Sequence, residues 1–272
     1  MRRPRAGWLG MLPVALLALT MLLPFLYMVS TALMGELDVF RYPPALAPAR
    51  PHPDNFPAAL TALPFGRFFL NSAIFAACVV VGQVATSAAA AYAFARLRFP
   101  GRDRLFLAFL SVLMVPVIVL LIPRFLIVNA LGWVDTYQGL ISTELVSVWG
   151  IFLLRQFFQT IPRDLEDAAR LDGAGEWTIF RRVVLPLSKP ALATLAVFAF
   201  VDQWKSFLWP LIVTRSTEMQ VVEVGIANFH GLFYTNWPYQ MAAAVAAVVP
   251  LVLLFFVAQR YFVRGIQLTG LK

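Results

Sequence analysis

Three ionisable side chains stand inside stretches that are otherwise almost wholly apolar: Glu144 within Tyr137 to Phe158, and Asp202 and Lys205 within Ala191 to Val213. An ionisable group in hydrocarbon costs at least ~2.5 kcal/mol, so it normally faces a cavity or a partner. Asp202 and Lys205 are three residues apart on one expected helix, close enough to neutralise each other or to stand together in a polar passage. Gln203, Trp204, Phe207 and Trp209 surround them. Aromatic faces beside polar groups suit a passage for a sugar, and they equally suit packing and interface anchoring. Glu144, Asp202, Trp204, Lys205 and Phe207 are therefore the pathway candidates. Other chemistry is not visible. There is no GxxxxGK[ST] phosphate loop and hence no evident means of binding ATP, and no nucleophile–base arrangement stands in a persuasive context. The single cysteine, Cys78, lies in an apolar run, and His52 and His230 are far apart. No catalytic residue, metal ligand or cofactor is expected in this chain.

A second group of residues has the pattern of a docking element. Residues 162–190 form the longest strongly charged passage in the chain, so they must face water. Leu165, Ala168, Ala169 and Asp172 fall at i, i+3, i+4 and i+7, which predicts a helix with a narrow face of low relief that another protein's surface can approach closely. The spacing puts Arg163, Glu166, Asp167 and Arg170 on the other side, with Glu166 four residues before Arg170. Asp172-Gly173 stops this helix, because glycine takes the left-handed conformation that helix C-termini often need. A second short helix opens at Glu176, carries Trp177, Phe180 and Val184 on one side, and ends at Pro186; Pro190 opens the next. The result is a helix–glycine–helix elbow.

The elements that would position these groups follow from composition. With 60% hydrophobic and 13% charged residues and a mean hydropathy of +0.76, the 272-residue chain lies outside the range of soluble domains and reads as an all-α integral membrane protein. A hydrocarbon core takes roughly 20 residues of helix. Six spans are expected, at about 8–33, 68–95, 105–127, 137–158, 191–213 and 241–260. A short terminus, 1–7, precedes one transmembrane domain, 8–272, with outer loops at 34–67 and 214–240. The first apolar run is too long for a signal-peptide core and is taken as an uncleaved span. The second is rich in small residues that permit close packing. Pro116 can kink the third, and Arg124 is expected to snorkel from it towards the outer interface. With the N-terminus inside, the inner Lys and Arg are residues 2, 3, 5, 96, 98, 102, 104, 155, 163, 170, 181, 182, 189, 260, 264 and 272, sixteen in all. Only Arg41, Arg50, Arg67 and Arg215 lie outside, and Arg124 and Lys205 lie within spans. That bias places both termini and the elbow in the cytosol. It accounts for the net charge of +8 without a nucleic-acid partner.

Residues 166–187, EDAARLDGAGEWTIFRRVVLPL, resemble the EAA loop of ABC-importer permeases. Glu166, Ala168, Ala169, Asp172, Gly173, Ala174, Phe180, Leu185 and Pro186 match that pattern position by position. The segment 201–214, VDQWKSFLWPLIVT, resembles the fifth-span signature of the carbohydrate-uptake branch, with Lys205 where asparagine is common. Residues 67–102 are similar to the family's second span and basic turn. The tail 259–272 is similar to that of the six-span partner in its permease pairs, as in maltose and glycerol-3-phosphate importers, without the common Ala-Val-Lys-Gly finish. The resemblance implies a type I ABC-importer permease fold in a bacterial or archaeal plasma membrane. It further implies import of a sugar or oligosaccharide, an extracytoplasmic solute-binding protein, a second homologous permease, and two ATP-binding subunits that hold ATP and Mg. The loop 214–240, with Asn228, Phe229, Tyr234, Asn236 and Trp237, is either the candidate contact for the binding protein or a passive connector. The alternatives are an ABC importer for a non-sugar solute such as a glycerophosphodiester or polyol, a stand-alone secondary transporter, and a non-transporting membrane scaffold.

Overall fold

The computed structural model describes residues 8–231 and 234–269, with side chains over 11–231 and 234–259. Arg2, Arg3, Arg5, Arg260, Arg264 and Lys272 of the charge count, and the side chains of nearly all the C-terminal tail, lie outside that range. The regular elements among the described residues are all helical, apart from one isolated antiparallel bridge between His230 and Thr235. In chain order the helices are α1 Trp8–Ala32, α2 Asn55–Ala62, α3 Phe65–Arg96, α4 Arg102–Ser111, α5 Val117–Ala130, α6 Tyr137–Ile141, α7 Val148–Thr160, α8 Asp164–Leu171, α9 Glu176–Ile179, α10 Leu185–Leu187, α11 Lys189–Trp204, α12 Leu208–Val213, α13 Val222–Ala227 and α14 Trp237–Thr269. Met11–Ala32, Phe65–Arg96 and Trp237–Gln259 are each long and apolar enough to cross a membrane. Three bent pairs, Arg102–Met114 with Val117–Ala130, Tyr137–Glu144 with Val148–Thr160, and Glu176–Leu187 with Lys189–Trp204 (77°), bring the total to as many as six when each is counted as one span.

The bends have identifiable causes. Between Arg102–Met114 and Val117–Ala130 the axis turns by 100°. Pro116 lacks an N–H and pushes the residue before it out of the helical region, and Val115 is extended at φ −81°, ψ 120°. The expected kink in the third span is therefore a full break. The fourth span bends by 43° between Tyr137–Glu144 and Val148–Thr160, where the Ser147 hydroxyl accepts the Gly150 N–H at 3.0 Å and starts α7 afresh. Nor is the expected fifth span one helix. α11 stops at Trp204 and α12 begins at Leu208, because Pro210 cannot donate to the Ser206 carbonyl.

The described residues divide into two compact units. One holds residues up to Gly66 together with Gly225–Val249. Its core joins Ala32, Ala59 and Ala242 under Phe56, Phe229 and Tyr239. Asn55 ties the end of α1 to α2 by donating to the carbonyls of Ala32 and Met34, both at 2.9 Å. Phe229 of the loop after α13 is partly buried, packs against this core and stacks on Phe65 at 5.8 Å. The other unit holds Arg67–Val224 and continues from Pro250. It contains the pathway candidates and the elbow.

Candidate functional site

A broken span frees backbone groups that must find partners, and α3 supplies them. Gln83 Nε2 donates to the Glu144 carbonyl at 2.8 Å, Thr86 Oγ1 to the Leu145 carbonyl at 2.9 Å, and Ser87 Oγ to the Ser147 carbonyl at 3.4 Å. The small residues of α3 allow this approach. A Cβ on Gly82 would sit 2.4 Å from Leu145 Cδ2, and one on Gly150 would sit 2.7 Å from Ser87 Oγ. The break therefore holds Glu144 at a fixed place.

Glu144 pairs with Arg124 of α5, which also donates to Thr143 Oγ1 at 2.7 Å and lies 4.3 Å over the Trp209 ring. Arg124 thus turns to a carboxylate and an aromatic face. Trp209 is fixed in turn, since its Nε1 donates to the Leu140 carbonyl at 3.1 Å. Arg124, Glu144, Asp202, Lys205, Phe207 and Trp209 all line one cleft of about 640 Å³. Four of the five pathway candidates meet there. The fifth, Trp204, lies apart, only 4% exposed and packed on Phe69 and Phe200.

The Asp202–Lys205 pair allowed by their spacing does not form among the described ion pairs. Asp202 accepts instead from Gln203 Nε2 at 3.2 Å, and both charged side chains are exposed. Burial pushes the carboxyl of Glu223 on α13 upward, and the Lys205 charge opposes that shift. The cleft thus offers a paired Arg124–Glu144 couple, the exposed Asp202 carboxylate and an exposed ammonium among aromatic walls, a lining that can hydrogen-bond and stack on a polar solute.

The elbow is built at the other group of candidates. α8 ends where Gly173 takes φ +80°, with the Asp172, Gly173 and Ala174 N–H groups donating to the carbonyls of Ala168, Arg170 and Ala169. Leu165, Ala168, Leu171 and Asp172 are exposed, Leu171 at 90%. Ala169, Ala174 and Phe180 instead face inward against a core of Ala88, Tyr92, Phe158, Ile179 and Val184. Pro186 is exposed, and the helix ahead of it relaxes into a π-helical turn, Phe180–Val184, that accommodates its ring.

Glu166 departs from its expected place. It is not on the solvent side with Arg163, Asp167 and Arg170 but 2% exposed, with Oε1 2.9 Å from Nε of Arg96, itself 3% exposed. The Nε–H does not point at that oxygen, so the contact is an ion pair rather than a directed hydrogen bond. Arg96 Nη2 donates to the carbonyls of Phe158 and Ile161. Arg170 bridges Asp167 and Glu176, both at 2.9 Å, and the Tyr92 hydroxyl donates to Glu176 at 2.6 Å. That hydrogen bond, followed by those of Arg170, holds the Glu176 carboxyl below its ordinary range against the effect of burial. Arg96, Tyr92 and Arg124 were not among the candidates. Arg96 had counted only towards topology, although an arginine ending a 28-residue uncharged run is a signal of its own.

The comparisons with known proteins agree with this architecture. Residues 83–268 match the family described as "Binding-protein-dependent transport system inner membrane component". The chain is 32% identical over 274 residues, 97% of each chain, to the sn-glycerol-3-phosphate transport system permease protein UgpE of Rhizobium meliloti. It is 33% identical over 272 residues, 99% of this chain and 98% of the other, to the arabinooligosaccharides transport system permease protein AraQ of Halalkalibacterium halodurans. A chain in the crystal structure of a bacterial ABC transporter involved in the import of the acidic polysaccharide alginate superposes with a TM-score of 0.81 at 23% identity, over 96% of this chain and 99% of that one. A second, the alginate transporter in complex with its pentasaccharide-bound periplasmic protein, gives 0.65 at 18% identity over 98% and 99%. On the family match and the near full-length relatives, this chain belongs to the inner membrane components of binding-protein-dependent transport systems.

Proposed function

We propose that the chain is one of two permease subunits of an ATP-driven importer for a sugar or oligosaccharide, with residues 8–272 acting as one permease domain. The observation that carries this is the elbow: a short helix whose outer face, Leu165, Ala168, Leu171 and Asp172, is bare while its inner face is anchored in the protein core. A stand-alone transporter has no use for such a face. Two ATP-binding subunits, holding ATP and Mg, would each engage one elbow of a permease pair; this chain is then non-catalytic. A binding protein would deliver solute from outside a bacterial or archaeal membrane. Glu144, Asp202, Lys205 and Phe207 would contribute this chain's share of the passage. The names of the relatives support a polyhydroxylated solute, and the glycerol-3-phosphate permeases among them keep a non-sugar solute as the second reading.

The test is purification of the tagged chain from its native membrane, with identification of the proteins that accompany it, for wild type and for Ala168→Arg. Ala168 is exposed, so the substitution charges the docking face without disturbing the core. An ATP-binding subunit and a second permease with wild type, and loss of the ATP-binding subunit alone in the variant, are expected. A chain that emerges by itself in both cases would leave the importer assignment without its main support.

A further inference from the structure

We propose that Arg96 is the positioning residue of the elbow: by clamping Glu166 it makes α8, the end of α3 and the end of α7 one rigid lever, so that motion imposed on the exposed face of α8 reaches the spans. The proposal rests on the coupling role given to the elbow above, and deepens it by naming the part that carries the motion.

α7 leads into the elbow through Ile161-Pro162, and Pro162 has no N–H with which to continue the helix. That joint by itself is a hinge. Arg96 spans it. Its guanidinium lies 2.9 Å from Glu166 on the far side of the hinge while donating to the Phe158 and Ile161 carbonyls on the near side, the last of which lies past the end of α7. The Phe158 carbonyl already accepts the capping Ile161 N–H at 3.1 Å, so Arg96 adds a second donor there and takes the Ile161 carbonyl beyond the helix end. Only a planar fork with several donors addresses three groups in two directions at once, and an ammonium does not. One helical turn earlier on α3, Tyr92 grips Glu176 beyond the Gly173 bend, and Arg170 joins Glu176 back to Asp167 and, at 3.6 Å, to Glu166. Both arms of the elbow are therefore fixed to the same face of α3.

The burial is what distinguishes a clamp from a surface contact. With side chains 3% and 2% exposed, removing either partner leaves the other buried with only part of its charge answered, Glu166 by Arg170 at 3.6 Å and Arg96 by two carbonyls. A buried ion pair is a poor way to add stability compared with apolar residues of similar size, and its plausible return is a unique arrangement. The bare face of α8 is Leu165, Ala168, Leu171 and Asp172, and Glu166 acts through Arg96.

Two measurements test this. In the reconstituted importer, Arg96→Gln combined with Glu166→Gln removes both charges together. The expected outcome is that the ATP-binding subunits still co-purify and basal ATP hydrolysis persists, while solute moved per ATP falls about tenfold. Arg96→Lys should lie between this variant and wild type. Unchanged solute per ATP in the double variant overturns the proposal. The second uses the chain without partners, in detergent, by amide hydrogen exchange. The wild-type α8 amides should be protected, and the double variant should lose protection there about tenfold while α3 keeps its own. Fast exchange of α8 in the wild type overturns the clamp even if the double variant does not fold. If no ATP-binding subunit accompanies the wild type, the importer assignment fails, and the exchange measurement still decides the clamp.

Discussion

Two cations in the cleft behave differently because of their partners. Arg124 is committed: it holds Glu144, Thr143 and the Trp209 face, with its side chain 20% exposed. Lys205 is exposed and makes no ion pair among the described residues. Glu144→Gln should therefore destabilise the protein by about 1–3 kcal/mol, the range for a hydrogen bond to a charged group, and towards the lower end because the pair is partly wet. A lowered unfolding midpoint in detergent checks this; an unchanged midpoint would show that the pair is incidental. Lys205→Asn should leave stability within about 0.5 kcal/mol, as exposed substitutions do, but change which solutes are taken up. An unaltered uptake rate and solute preference would remove Lys205 from the passage. Sequence alone could single out Glu144, Asp202 and Lys205, because charge in an apolar run is conspicuous. It could not tell which of them is paired, since Arg124 is twenty residues from Glu144 and was assigned to the outer interface.

At the level of elements, the helix stop at Gly173 was legible because glycine after a helical run has a single common use, whereas the depth of the span breaks was not. A proline predicts a lost hydrogen bond but not whether neighbours will accept a 100° turn, which depends on tertiary packing around the break. The burial of Glu166 was hidden for a similar reason. Spacing fixes which residues share a face, and only tertiary structure decides which face turns inward. Gly173 gives a clean test, since at φ +80° a Cβ there meets nothing within 4 Å. The cost of substitution is then conformational alone. Gly173→Asn should be nearly neutral, while Gly173→Val should cost roughly 1–2 kcal/mol or more and weaken retention of ATP-binding subunits. Gly139 is the opposite case. A Cβ there would sit 2.2 Å from the Trp133 carbonyl oxygen, a backbone atom that no rotamer can move away. Gly139→Ala should lower the unfolding midpoint markedly, and a tolerated alanine would mean that α6 can draw away from the preceding turn.

For the whole molecule, the surface itself argues for a membrane. Met11, Val14, Leu17 and Met21 on α1 and Val117, Ile118, Val119 and Ile122 on α5 are each about 60% exposed or more, an apolar surface far beyond what a soluble monomer shows. Lipid or another subunit must cover it. The orientation rests on the arginine and lysine bias, sixteen against four, and several of the sixteen lie outside the described side chains. A direct test uses exposed arginines well within the described residues: Arg104 and Arg163 from the inner set, Arg50 and Arg215 from the outer. With the native Cys78 replaced by serine, each would be changed singly to cysteine and treated with a membrane-impermeant maleimide in intact cells and in inverted vesicles. Losing one arginine leaves the bias intact, so no variant should invert. Arg50→Cys and Arg215→Cys should react in cells, and Arg104→Cys and Arg163→Cys only in inverted vesicles. If the 163 site reacted from outside, the elbow would stand on the wrong side for any ATP-binding subunit, and the bare face of α8 would have to serve an extracytoplasmic partner instead.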